Sequence, residues 1–170
     1  MTTGRRIASD IFTFGILAGV AGGLAEIAWI WLYAAATGGN AAVLARGVTI
    51  AAGASAVLPQ APVSTGIAVH MILAAMLGIA LAGLWRALAR TQGVGGLYAV
   101  AVAALASVWA MNFFVVLPAI SPAFVLLVPY SVSLVSKLLF GLAAAETLRR
   151  CTIVAATPRP GRVRAANRTR

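Results

Sequence analysis

Three acidic residues, one cysteine and one histidine are all that 170 positions hold of the side chains from which most active sites are built. With a single thiol, Cys151, the chain can form no internal disulfide and no thiolate metal cluster. With one histidine, His70, it lacks the two axial ligands that a transmembrane haem commonly uses. Met71 and Met76 fall off the His70 face of a helix. No metal and no other cofactor is therefore expected. A His–Glu–x–x–His pair, a nucleophile elbow and a Walker loop are all missing, so no catalytic residue is assigned. The glycine-rich "TQGVGGLY" (91–98) has no strand before it and reads as a turn, not a phosphate cradle.

Charge is scarce as well. Charged residues are 9% of the chain and hydrophobic ones 62%, whereas soluble domains are about 25% charged. With a mean hydropathy of +0.99, the chain has too few polar residues to cover a water-facing surface, which points to an integral membrane protein. What charge there is has one sign: 13 Lys and Arg against 3 Asp and Glu, a net +10. Such a balance raises the question of nucleic acid. The arginines, however, sit at the edges of apolar runs and in the terminal stretch "TPRPGRVRAANRTR" (157–170). That distribution fits membrane topology and attraction to anionic lipid headgroups, so lipid is the expected partner and nucleic acid is not.

Four apolar stretches meet the requirement of roughly 20 residues for crossing a bilayer. They run over about 11–37, 63–88, 94–117 and 124–148. Residues 1–10 read as a cytoplasmic N-terminus with Ser9 and Asp10 as N-cap candidates. The first stretch is too long for a signal peptide and reads as a retained helix. Pro118 and Pro122 in "LPAISPAF" predict a tight hairpin between the third and fourth spans. Residues 38–62, "GGNAAVLARGVTIAAGASAVLPQAP", are apolar for a loop but Gly-rich and short for a span. They predict a short interfacial or re-entrant helix in the first outer loop, with a fifth span as the other reading. Residues 151–170 read as a basic, disordered cytoplasmic tail.

In this arrangement Arg5, Arg6, Arg86, Arg90, Arg149, Arg150 and the tail arginines fall on one side, and only Arg46 on the other. The positive-inside rule then puts both termini in the cytoplasm of a multi-pass inner-membrane protein. Trp29, Trp31 and Tyr33, with Trp85 and Tyr98 at the opposite side, suit interfacial belts.

The informative residues are the polar ones inside the spans. Gly15, Gly19, Gly22 and Glu26 share one helical face, with Gly23 beside it, while Leu17, Val20, Leu24, Ile27 and Trp31 lie roughly opposite. A small-residue stripe lets helix backbones approach, so Glu26 is expected to face another helix. In the fourth span Lys137 shares a face with Ser133, Gly141 and Ala144. In the second, His70 shares one with Gly66, Ala74 and Gly78. Asn112 in the third has a weaker stripe. Each ion alone costs a few kcal/mol or more at mid-bilayer. Lys137 is the expected partner of Glu26, its stem of roughly 6 Å bridging the difference in depth, with His70 and Arg46 as the other candidates.

The stretch "MNFFVVLPAISPAFVLLVPYSVSLVSKLLFGLAAAE" (111–146), together with "AVHMILAAMLGIALAGLWR" (68–86), resembles a group of small bacterial inner-membrane proteins that are sometimes labelled sodium:proline symporters. The resemblance covers about three spans and implies no site residues. Sodium/solute symporters bind at broken helices of inverted repeats, which four spans cannot build. What the resemblance implies is a small inner-membrane protein.

The expected fold is thus an all-α bundle of four transmembrane helices with a short interfacial or re-entrant helix. Two functions fit it. One is a non-catalytic accessory or assembly subunit of a larger membrane complex. The other is a small proton- or cation-coupled transporter using Glu26, Lys137 and His70, working as a homo-oligomer assembled through the glycine stripe.

Overall fold

A computed structural model describes residues 3–88 and 93–156. Within them the protein is all-helical. Four helices are long and apolar enough to span a membrane: Ser9–Thr37, Pro62–Leu88, Gly95–Ile120 and Tyr130–Ile153. The full helices are α1 (Thr3–Thr37), α2 (Ala41–Ala51), α3 (Pro62–Leu88), α4 (Val94–Met111), the single turns α5 (Leu117–Ile120) and α6 (Pro122–Val125), and α7 (Tyr130–Ala156). Ser9 and Asp10 lie inside α1 rather than capping it, because the helix continues back to Thr3. The region 151–156, expected in the tail, is the last part of α7. Arg90 and the tail arginines Arg159 to Arg170 lie outside the described residues.

Helix α1 is the centre of the bundle, packed against α3 on one side and α7 on the other, with α4 docked on α7 and α2 on α3. Glycine explains the α1–α3 contact. A Cβ at Gly15 would lie 2.5 Å from the Cα of Ile79, and one at Gly19 would run into the Ala74 carbonyl oxygen. Across the contact, a Cβ on Gly78 would strike the backbone of Gly15 and Gly19. Gly22 admits a different neighbour, the ring of Phe140 on α7, 2.7 Å from where its Cβ would be. The stripe is therefore used up inside one chain, which leaves it unavailable for the oligomer contact expected from the sequence. The core it creates is built of small residues, with Leu81, Leu97, Leu105, Phe140 and Leu148 filling between Ala18, Ala74, Ala101, Ala144 and Ala145. Leu17 and Leu24 are exposed on the outside of α1, as a lipid-facing surface requires.

The ambiguous stretch resolves as α2. Its 11 residues reach about 16 Å at a rise of roughly 1.5 Å each, half of a hydrocarbon core of about 30 Å, so it is not a fifth span. Gly38, at φ +70°, turns the chain out of α1, and Asn40 caps α2 by accepting from the Ala42 N–H at 2.9 Å. The α2 end is tied down by the buried hydroxyl of Thr49, which donates to the Pro62 carbonyl at 2.5 Å. Gly66 on α3 meets the Ala45 carbonyl so closely that no side chain fits between.

The third span departs from the expected hairpin. Pro118 does not end it. Residues Asn112–Val116 form a π-helical segment in which the Leu117 N–H bonds back to Asn112. The added residue per turn absorbs the clash and missing donor of Pro118, and the helix runs on to Ile120. The break comes at Ser121 (φ −156°, ψ 73°). The connection then spans α6 and Pro129, so the fourth membrane helix starts at Tyr130 rather than near Phe124.

Candidate ligand site

Where α1, α3 and α7 meet, three ionisable residues from deep within the spans come together. Glu26 is buried, 4% exposed. The Lys137 ammonium reaches it from α7, with Nζ 2.7 Å from Oε1 and 2.9 Å from Oε2. His70 reaches it from α3, its Nε2 3.7 Å from Oε2 and 3.4 Å from the Gly23 carbonyl. Both neighbours of Nε2 are acceptors, so the neutral tautomer that fits carries its proton there.

Local sequence sets each position. Gly22, one turn before Glu26, lets Phe140 lie flat against α1. Lys137, one turn before Phe140, sits with its ammonium 5.7 Å from that ring's centroid. The cation thus has a carboxylate on one side and an aromatic face on the other. Ser136, adjacent to Lys137, turns its hydroxyl inward. It donates to the Ser133 carbonyl at 2.8 Å, with Glu26 Oε1 at 3.3 Å. The Ser133 hydroxyl donates to the Tyr130 carbonyl at 3.0 Å and accepts from the Trp109 indole N–H at 3.0 Å. Among the described residues no buried side-chain polar atom lacks a partner.

These groups form the polar part of a cavity of about 540 Å³, within the range of roughly 300–1,000 Å³ usual for small-molecule sites. Asn40 before α2 adds a further polar group, and the rest of the wall is mainly apolar and comes from every surrounding element: Ile30 and Trp31 from α1, Val48 from α2, Ile67 from α3, Phe113 from the π segment and Val128 from the connection before α7. The cavity occupies the half of the bundle that carries α2. Its ionisable lining residues are Glu26, His70 and Lys137.

The other expected residues lie elsewhere. Arg46 is exposed on α2 and lines a separate recess with Val43, Ile50 and Phe124, away from Glu26. Asn112 is half-buried at the start of the π segment and does not line the main cavity. Ile27 and Trp31, expected on the lipid face, both line it. Met71, expected to point away, puts its sulfur beside Gly23, whereas Met76 is exposed. Trp29, assigned to an interfacial belt, donates its indole N–H to the Val132 carbonyl at 3.0 Å and ties α1 to α7.

One cluster escaped sequence reasoning. Near the other end of α7, Glu146 accepts from Arg149 at 2.7 and 2.8 Å, from Arg150 at 2.6 Å and from the Tyr98 hydroxyl at 2.5 Å. The i, i+3 and i, i+4 spacing of Glu146 with Arg149 and Arg150 was the available signal. Tyr98 comes from α4 and had none.

Scans against protein-family models, curated proteins and solved structures find no match for this chain.

Proposed function

We propose that this integral membrane protein is a small proton-linked carrier, with the Glu26–Lys137–His70 cluster as its binding and coupling site. The observation that carries this reading is the position of the cluster on the wall of a half-open 540 Å³ cavity lined by a single chain. Buried ion pairs that only hold helices together need no cavity beside them. Intramembrane ionisable groups that face a cavity are the usual markers of substrate and proton paths. The accessory or assembly role expected from the sequence has no comparable feature behind it. Because one chain supplies all three groups, the carrier role does not depend on an oligomer.

The setting we assign is a bacterial inner membrane with both termini cytoplasmic, the basic tail lying against anionic headgroups. Charge asymmetry and the resemblance to small inner-membrane proteins support it. A reporter fused after Arg170 should read cytoplasm and one inserted near Asn40 the outer side. An outward C-terminus would overturn the orientation.

The carrier itself is tested in vesicles holding a pH-sensitive dye and the full chain. A panel of small apolar carboxylates, amines and neutral amino acids is added outside. At least one class should move protons faster than in protein-free vesicles, and the gain should vanish in the Glu26→Gln/Lys137→Met double variant. Protein-free rates across the whole panel would refute the carrier reading.

A further inference from the structure

The cavity has more to say about its occupant than its size. We propose that it binds a small apolar carboxylate together with one proton, the carboxylate on the Lys137 ammonium and the proton on His70. This rests on the carrier reading above and names its substrate class.

The polarity of the head group follows from which charge can be reached. The Glu26 side chain is 5% exposed, against 19% for Lys137. Lys137, His70 and Ser136 close around Glu26. An incoming amine would have to displace Lys137 to touch it. The ammonium has three protons; the carboxylate accepts one at Oε2, 2.9 Å away, with Oε1 at 2.7 Å in the ion pair, which leaves donor capacity over. A ligand carboxylate can use it without breaking the existing pair. The neighbouring hydroxyls do not compete, since Ser133 and Ser136 each spend their single proton on a backbone carbonyl. The body of the ligand follows from the remaining wall, which is aliphatic and aromatic apart from Asn40, whose side-chain oxygen accepts from the Ala42 N–H.

The proton follows from charge balance. With Glu26 ionised, Lys137 ionised and His70 neutral, the site has no net charge. An anion alone would leave one negative charge uncompensated in a largely apolar, half-open cavity within the bundle, which is costly. Among the described residues no further cation lines the cavity. Arg46 lines a different recess. Arg149 and Arg150 are three turns further along α7 and paired to Glu146. α4, packed on α7, adds only Tyr98, which is bonded to Glu146. His70 can supply the missing charge. Its Nε2 proton faces Glu26 and Gly23, so Nδ1 keeps a lone pair for a second proton. The imidazolium then balances Glu26, and Lys137 is left to balance the ligand. Ligand anion plus proton enter as a neutral pair, and the site is neutral before and after.

The test uses the full chain in phosphatidylcholine nanodiscs, with empty nanodiscs as the baseline. Octanoate is titrated calorimetrically in two buffers of different ionisation enthalpy, which yields protons taken up per ligand bound. Octylammonium is the opposite-charge probe. Octanoate should bind with uptake of about one proton, and more tightly than octylammonium. The Glu26→Gln/Lys137→Met double variant, which keeps the pair matched, should weaken octanoate at least about tenfold. Val48→Trp, which fills the cavity from α2 without touching an ion, should also abolish binding. His70→Gln should bring proton uptake close to zero. Preference for octylammonium, no octanoate binding, wild-type affinity in the double variant or in Val48→Trp, or unchanged proton uptake in His70→Gln would each overturn the proposal. If octanoate binds with its proton but nothing moves in the vesicle assay, the carrier reading fails and the site stands. If the vesicle assay responds only to amines, the carrier stands and this assignment falls.

Discussion

Glu26 and Glu146 are two carboxylates in one bundle, and each is ion-paired. Their surroundings could hardly differ more. The Glu26 side chain is 5% exposed, with one lysine, one histidine and one serine around it. The Glu146 side chain is 31% exposed and shares two arginines and a tyrosine hydroxyl, with Arg150 itself 74% exposed. An ion pair in contact with water gains little, because water already solvates both ions and long side chains lose freedom on pairing. A pair inside the bundle depends more on its partner, because water reaches neither ion freely. The comparison also separates two uses of charge. The Glu146 cluster sits at the end of a span, among the basic residues that the sequence analysis assigned to the cytoplasmic face. Glu26 sits where charge is expensive, beside a cavity that a ligand could enter.

The largest effect is therefore expected at the inner pair. Lys137→Met strands Glu26 and should lower stability by about 3–5 kcal/mol, the cost of leaving one member of a buried pair without its partner. Protonation of Glu26 or approach of His70 would reduce that figure. Glu26→Gln should also destabilise, while the double change recovers part of the loss because neither ion then needs a partner. Thermal unfolding in detergent across the four proteins measures the coupling. Additive losses would mean that the 2.7 Å contact contributes nothing, and the contrast with Glu146 would collapse.

A smaller effect should come from disturbing the pair through its support. Gly22→Leu places a side chain where the Phe140 ring now lies, 2.7 Å from the new Cβ. The ring must move, and Lys137 with it. Overpacking of this kind costs about 1–3 kcal/mol. Gly83→Leu is the matched control on α3, where a Cβ would meet nothing within 4 Å. Melting of the two variants checks this. Equal effects would show that Gly22 has no special relation to the ion pair.

Much of this contrast was legible in the sequence, but unevenly. Helix number came from hydropathy, which needs no tertiary information. The inward face of Glu26 came from the period of Gly15, Gly19 and Gly22, because close helix approach has few sequence solutions. Their partner was not legible: Gly78 and Ala74 on α3 meet that stripe, and any small-residue face could have done so. The third span was misjudged at Pro118 because proline is normally a stop signal. A π segment at Asn112–Val116 absorbs it, and nothing local in "NFFVV" announces that register shift. The cavity was not legible at all. Its wall mixes α2, the connection before α7 and all four spans, so it exists only once they pack.

The smallest expected effect lies at Glu146, and it tests the comparison from its weak side. Glu146→Gln removes the charge but keeps an oxygen that can accept from Arg149 and from the Tyr98 hydroxyl, two of its present donors. Arg149 and Arg150 then lose a countercharge, but both retain access to water or headgroups, their side chains being 34% and 74% exposed. Neither ion is stranded. The melting temperature should stay within the scatter of replicate measurements. Added salt, which screens exposed charges over a Debye length of about 8–10 Å, should narrow whatever difference remains. The same salt series on the Glu26/Lys137 cycle should leave the coupling nearly unchanged, since ions do not enter the packed contact. A Glu146→Gln loss as large as that of Lys137→Met, or a Glu26–Lys137 coupling that fades with salt, would show that exposure does not distinguish the two carboxylates.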